Sequence, residues 1–275
     1  LLIEPEKEFL MAGDWHGNWP QAKKVLDFDH QQGIKVIVQL GDFGIWHDDK
    51  PYLNKMQATL EEYGQILYFL DGNHENFPRL YDKKVLDDGT RMVRDRIFHL
   101  PRGFRFVWGG ISFLILGGAA SIDRKFRTEG KSWWPEELLT DADIAKALSG
   151  GVADVMLTHD SPHSAPNTVT DSVSGQLQAM RYFGKESVAA CRDHQLRLQQ
   201  VTDAVVPRLI FHGHYHERMQ GDFRHQGAFD EPCRVVGLDQ GTGSLPKHTY
   251  IFDLEREKAL ITGVDTDKKA DILEK

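Results

Sequence analysis

Five short segments carry histidine, aspartate or asparagine, four of them with glycine, at spacings that suit metal coordination. They are Gly13-Asp14-Trp15-His16-Gly17-Asn18, Gly41-Asp42-Phe43-Gly44, Gly72-Asn73-His74-Glu75, Thr158-His159-Asp160 and His212-Gly213-His214-Tyr215-His216. In extended backbone, alternate side chains share a side, which predicts that Asp14 and His16 grip one ion together, as do His214 and His216. Carboxylate, imidazole and amide oxygen together favour borderline divalent cations such as Mn²⁺, Fe²⁺ or Zn²⁺ over a sulfur-preferring ion. Each segment taken alone is ordinary turn chemistry. Their conjunction is not, because every one of them follows an apolar run.

Those runs read as buried strands. Phe9 to Ala12, Lys35 to Leu40 and Gln65 to Leu70 end in Gly or Asp-Gly. Between them, Pro20 to Gln32 and Pro51 to Tyr63 read as helices with Pro near the start. A βαβαβ opening predicts parallel strands with right-handed crossovers. Ile97 to Leu100, Phe104 to Trp108 and Ile111 to Leu116 follow as close-spaced strands, with Gly109-Gly110 as a hairpin turn. Beyond them come a helix over Pro135 to Leu148, a strand over Asp154 to Thr158 and a loop over Ser161 to Gly175. A helix over Lys185 to Asp203, a strand over Arg208 to His212 and further short strands between Met219 and Ile261 complete the series. The order predicts two packed sheets with helices outside, in one domain spanning 1–275. In such sheets ligand sites form beyond the carboxyl ends of parallel strands, where all five segments lie.

A formal net charge of −8 argues against strong, sequence-blind nucleic-acid binding, which needs clustered Lys and Arg. It leaves room for a small anionic substrate, since bound cations invert the local field. No apolar run approaches the roughly 18 residues that span a bilayer, so no membrane partner is expected. Cys191 and Cys233, the two cysteines, have no neighbour at redox or metal-binding spacing. They are read as thiols in a reducing compartment, the cytoplasm.

As a set, the five segments resemble the calcineurin-like metallophosphoesterase superfamily. Its pattern runs Asp-x-His, Gly-Asp, Gly-Asn-His-(Glu/Asp), a single His, and Gly-His-x-His. All five blocks occur here in that order between residues 13 and 216. One departure is Ile45, at the place where many members continue Gly-Asp-x-x-Asp; it removes no ligand. The resemblance implies a four-layer αββα sandwich and two divalent ions, Mn²⁺ first, with Fe²⁺, Zn²⁺ or Ni²⁺ as alternatives. It assigns Asp14, His16, Asp42 and His216 to one ion. Asp42, Asn73, His159 and His214 fall to the other, so that Asp42 bridges. His74 matches the histidine that stands beside the substrate phosphate without binding metal, and it is expected to act as an imidazolium.

Two such ions can share a water, lower its pKa and hold phosphoryl oxygens, which predicts in-line attack on phosphorus by the bridging hydroxide. The segment 117–136 is the candidate substrate loop, with Arg124 and Arg127 to meet phosphate and Trp133 and Trp134 to stack on a base. Trp15 and Trp46 are further candidates for the cleft wall. The expected substrate is a small phosphorylated or nucleotide-like molecule, and the expected activity a phosphodiesterase. A phosphomonoesterase, a nuclease and a non-catalytic scaffold are the competing readings.

Overall fold

The computed structural model describes residues 3–165, 173–225, 232–241 and 244–262. The chain opens with β1 (Glu8–Ala12), α1 (Trp19–Gln32), β2 (Val36–Gln39), α2 (Lys50–Tyr63) and β3 (Ile66–Phe69). Then come α3 (Phe77–Tyr81), β4 (Lys84–Val85), β5 (Arg91–Arg94), β6 (Ile97–His99), β7 (Arg105–Trp108) and β8 (Ile111–Leu116). The second half holds α4 (Asp141–Ser149), β9 (Val155–Thr158), α5 (Val173–Phe183), α6 (Lys185–Val205) and β10 (Leu209–His212). It closes with β11 (Met219–Phe223), β12 (Cys233–Gly237), α7 (Leu245–His248), β13 (Thr249–Asp253) and α8 (Leu254–Thr262).

The strands form a seven-stranded sheet, β13-β1-β2-β3-β6-β5-β4, and a six-stranded sheet, β11-β12-β10-β9-β8-β7. Both are mixed, with parallel centres: β1, β2, β3 and β6 run parallel in the first, and β8, β9, β10 and β12 in the second. Alternation along each strand divides the core. Phe9, Met11, Val38 and Tyr68 face Phe113, Ile115, Leu157 and Phe211 of the other sheet. Leu10, Ile37 and Leu67 pack outward on Val25, Leu53 and Met56 of the first helices. On the opposite flank, Leu114, Met156 and Ile210 meet Ile144, Leu198 and Val201 of α4 and α6. This is the expected αββα sandwich, one core between the sheets and one beneath each helical layer.

The early helices start and stop as their sequences direct. Asn18 caps α1 by accepting from the Gln21 N–H, a proline follows, and Gly33 ends the helix at φ 78°. Gly109 and Gly110 turn the β7–β8 hairpin with φ of 59° and 74°. Three expectations change. The helix over Pro135 to Leu148 divides into a short 3₁₀ turn at Pro135–Glu137 and α4, because Thr140 and Asp143 form a capping box that restarts the helix. The loop over Ser161 to Gly175 is cut short by α5, which begins at Val173, and residues 166–172 lie outside the described part. The tail is not all strand: α7 and α8 interrupt and end it.

Candidate metal centre

All five ligand-bearing loops leave the carboxyl ends of parallel strands: β1, β2 and β3 of the first sheet, β9 and β10 of the second. Strand order puts those ends side by side, so residues about 200 positions apart meet. One oxygen or nitrogen from each of Asp14, His16, Asp42 and His216 falls within 4.8 Å of the others. His16 Nε2 stands 3.0 Å from His216 Nε2, and His216 Nε2 is 3.0 Å from Asp14 Oδ2. This is the first ligand set that the motifs assign.

The second set lies beside it. His159 Nε2 is 3.1 Å from Asn73 Oδ1 and 3.4 Å from Asp42 Oδ2. The His214 ring lies 5.1 Å, centroid to centroid, from that of His159. Asp42 touches both groups, through His16 Nδ1 at 3.8 Å and through His159.

The pairing expected from strand alternation holds for Asp14 and His16 but fails for His214 and His216, which divide between the two groups. The backbone of these loops departs from an extended strand. His16, Asp42, His214 and His216 have φ of 47°, 53°, 70° and 54°, and apart from Val206 they are the non-glycine residues with positive φ among those described. Each such residue is disfavoured by about 1–3 kcal/mol, a strain that collects at functional sites. Gly72 shows how tight the turns are: a Cβ there would lie 2.1 Å from Asp42 Oδ1.

These donors fit divalent cations. Asp14 Oδ2 is buried with His216 Nε2 at 3.0 Å and His16 Nε2 at 3.7 Å, a carboxylate and two imidazole nitrogens turned toward one point as a cation requires. His159 Nδ1 lies 2.7 Å from the Leu40 carbonyl, so it donates there and turns Nε2 toward the site. Burial, followed by the neighbouring His159 charge, pushes the His214 pKa down to about 4, so its ring is neutral with a free lone pair.

The contacts that hold these ligands in place were not read from the sequence. Asn73 Nδ2 donates to Ser121 Oγ at 2.9 Å, and Ser121 donates from Oγ and N to the buried Glu137 at 2.7 and 2.8 Å. That chain aims Asn73 Oδ1 into the site. Replacing Ser121 by alanine is expected to weaken binding at the Asn73 site by about 10–100-fold while leaving the fold intact. Competition with a chelating dye measures it, and unchanged affinity would remove Ser121 from this role. Glu75, fully buried, accepts from the N–H groups of Phe43 at 2.6 Å and Ile45 at 2.7 Å, clamping the loop that bears Asp42. Burial and then Asp42 push its carboxyl up to about 8, against the pull of those N–H groups. Asp160 joins the last two loops: it accepts from Tyr215 at 2.6 Å and pairs with His194 at 2.7 Å, and Gln195 donates to Tyr215 at 2.6 Å. His194 and Gln195 belong to α6, and no local signal in their helical pattern marks them.

Among the unassigned histidines, His99 is buried against Asp71, and His212 is buried with Nδ1 2.9 Å from the Gly213 carbonyl. His74 is half-buried, its ring 5.0 Å from that of His16 and its backbone N–H donating to Asp42 Oδ1 at 2.7 Å. Burial lowers its pKa, Asp42 opposes, and Arg127 and His16 lower it further.

The loop 117–136 reaches this point. Arg127 touches His74, and the Arg124 guanidinium lies 3.7 Å over the Trp133 ring. Trp134 is buried and anchors the loop, so it offers no face to a base. Trp15 is buried behind the site, whereas Trp46 is 43% exposed and donates from Nε1 to the His74 carbonyl at 2.8 Å.

In the metal-free protein, burial opposes the charge on His159, yet Asp42 and Asp14 push its pKa up to about 10 from 6.5. A pKa raised on folding means stabilisation that is complete below 6.5 and lost as pH rises through about 10. A cation must expel that proton. Thermal melts of metal-free protein are thus expected to fall as pH rises through this window, while metal affinity climbs. Calorimetry in two buffers of different ionisation enthalpy should find proton release on binding at neutral pH; none would argue against His159 as a ligand.

The calcineurin-like phosphoesterase family matches residues 8–218, and the chain belongs to that family. Among solved structures, TT1561 of Thermus thermophilus is similar over 90% of this chain and 99% of its own, with a TM-score of 0.52 and 9% identity. A dimetal phosphatase from Danio rerio is similar over 90% and 92%, with a TM-score of 0.52 and 11% identity. At such identities the likeness is one of fold. No curated protein sequence matches the chain. Among the described residues, no helix is long and apolar enough to cross a membrane.

Proposed function

We propose that this protein hydrolyses phosphodiesters of nucleotide-like molecules with two divalent ions, Mn²⁺ foremost. The observation that carries the reading is the meeting of Asp14, His16, Asp42 and His216 within 4.8 Å, with Asn73, His159 and His214 alongside and Asp42 between. Two ions held there would supply Lewis-acid polarisation of phosphoryl oxygens and a water of lowered pKa.

The chain's own groups do the rest. Asp42 and Asp14 would balance the charge of cations held there. His74, beside His16, is placed to donate its ring N–H to a phosphoryl or leaving oxygen. The exposed Trp46 indole and the Arg124–Trp133 stack give the surround an aromatic and cationic character that suits a nucleoside. Both cysteines are free, which suits the cytoplasm.

A panel of bis-para-nitrophenyl phosphate, para-nitrophenyl phosphate, cyclic nucleotides and single-stranded DNA, each with Mn²⁺, tests the proposal. Cyclic nucleotides and the bis-ester should turn over fastest. Preference for the monoester would replace the diesterase with a phosphatase, and no hydrolysis by verified metal-loaded protein would leave a scaffold.

A further inference from the structure

In the loop that carries Asp42, the fully buried and apolar Ile45 offers the His74 ring no polar partner. Its ring is met instead from the loop 117–136. Arg127 Nη2 stands 2.9 Å from Nδ1 and 2.8 Å from Nε2 of His74, so a guanidinium N–H reaches whichever nitrogen bears the lone pair. Arg127 is itself fixed. It donates from Nε to Asp123 Oδ1 at 2.6 Å, from Nη2 to Asp123 Oδ2 at 2.9 Å, and from Nη1 to the Ser132 carbonyl at 3.1 Å.

We propose that Arg127, braced by Asp123, is the positioning residue for His74 and does not itself grip the substrate. The inference rests on the phosphoesterase reading above. A guanidinium has five N–H donors. Here four are engaged, and turning to a phosphate would break the paired contact with Asp123. The side chain is only 13% exposed, unlike Arg124 at 38%. An imidazole ring turns in a broad torsional well, so a fixed neighbour decides where its N–H points. A misplacement on the order of 1 Å costs about 10²-fold in rate.

The test uses Mn²⁺-loaded protein and a cyclic nucleotide, whose alkoxide leaving group needs a proton, with Arg127→Met, Arg127→Lys, Asp123→Asn, His74→Ala and the His74→Ala/Arg127→Met double variant. Arg127→Met should lower kcat by about 10–100-fold with KM within about twofold, and Asp123→Asn should act in the same direction. Arg127→Lys should restore part of the loss. In the His74→Ala background, Arg127→Met should cost less than about twofold more, because the two act as one unit. A crystal structure of Arg127→Met should show the His74 ring turned with Asp14, His16 and Asp42 unmoved. Additive losses in the double variant, or a large rise in KM with kcat kept, would overturn the proposal and make Arg127 a substrate contact. An unturned His74 ring would overturn it too. If wild-type protein hydrolyses nothing, the phosphoesterase reading fails, while the crystal structure still reports whether Arg127 orients the ring.

Discussion

Asp42→Asn is expected to abolish binding of at least one ion and to lower hydrolysis by about 10³-fold or more, since the ions contribute several kcal/mol to the transition state. Asp42 is the carboxylate shared by both groups, in reach of His16 and of His159. Burial opposes its ionisation, yet His159 and His74 hold it well below the ordinary carboxylate range, so it is an anion whenever a cation arrives. Asparagine keeps the size and can still accept the His74 N–H now bonded to Oδ1, so the loop should stay folded. What it removes is the negative charge facing two cations. Elemental analysis after Mn²⁺ loading should fall from about two equivalents in the wild type toward none, with circular dichroism unchanged. Two retained equivalents in this variant would end the assignment of Asp42 as the bridge.

His74→Ala is expected to separate binding from chemistry. The ring lies beside His16 and takes no part in either ligand group, so metal content should match the wild type. Turnover should drop at least tenfold, and by about 10²–10⁴ if the ring N–H acts on the leaving oxygen. The loss should shrink for a substrate such as bis-para-nitrophenyl phosphate, whose leaving group needs little protonation, and grow for a nucleotide with a poor leaving alkoxide. Equal losses on both would confine His74 to stabilising phosphoryl charge. Undiminished turnover would remove it from the reaction altogether.

Two packed sheets with helices outside, and the polar loops at their carboxyl edge, were legible in the sequence because both are written in local signals, whereas the division of ligands came from the family resemblance. Alternating apolar runs such as Phe9 to Ala12 define strands, and a parallel strand leaves its polar loop at one predictable end. Glycine, aspartate and histidine at those ends mark turns that bring donors together. Gly41-Asp42 and Gly72-Asn73 could therefore be placed without coordinates. Weak local signals misled: β4 is short and exposed, β5 is short and only partly buried, and the capping box at Thr140 competes with the proline signal at Pro135.

Only the tertiary structure decided what holds the donors. His16, Asp42, His214 and His216 adopt left-handed backbone, a conformation that the sequence pattern does not announce. Ser121 beneath Asn73, Tyr215 on Asp160 and Arg127 on His74 are pairs between 48 and 55 positions apart, and no periodicity links them. Which of two neighbouring tryptophans is buried followed from packing: Trp134 turns inward and Trp133 lies beneath Arg124. The chain's residue types decided which ions and which chemistry it can serve; the aim of each side chain was settled by contacts that form only when the two sheets close on one another.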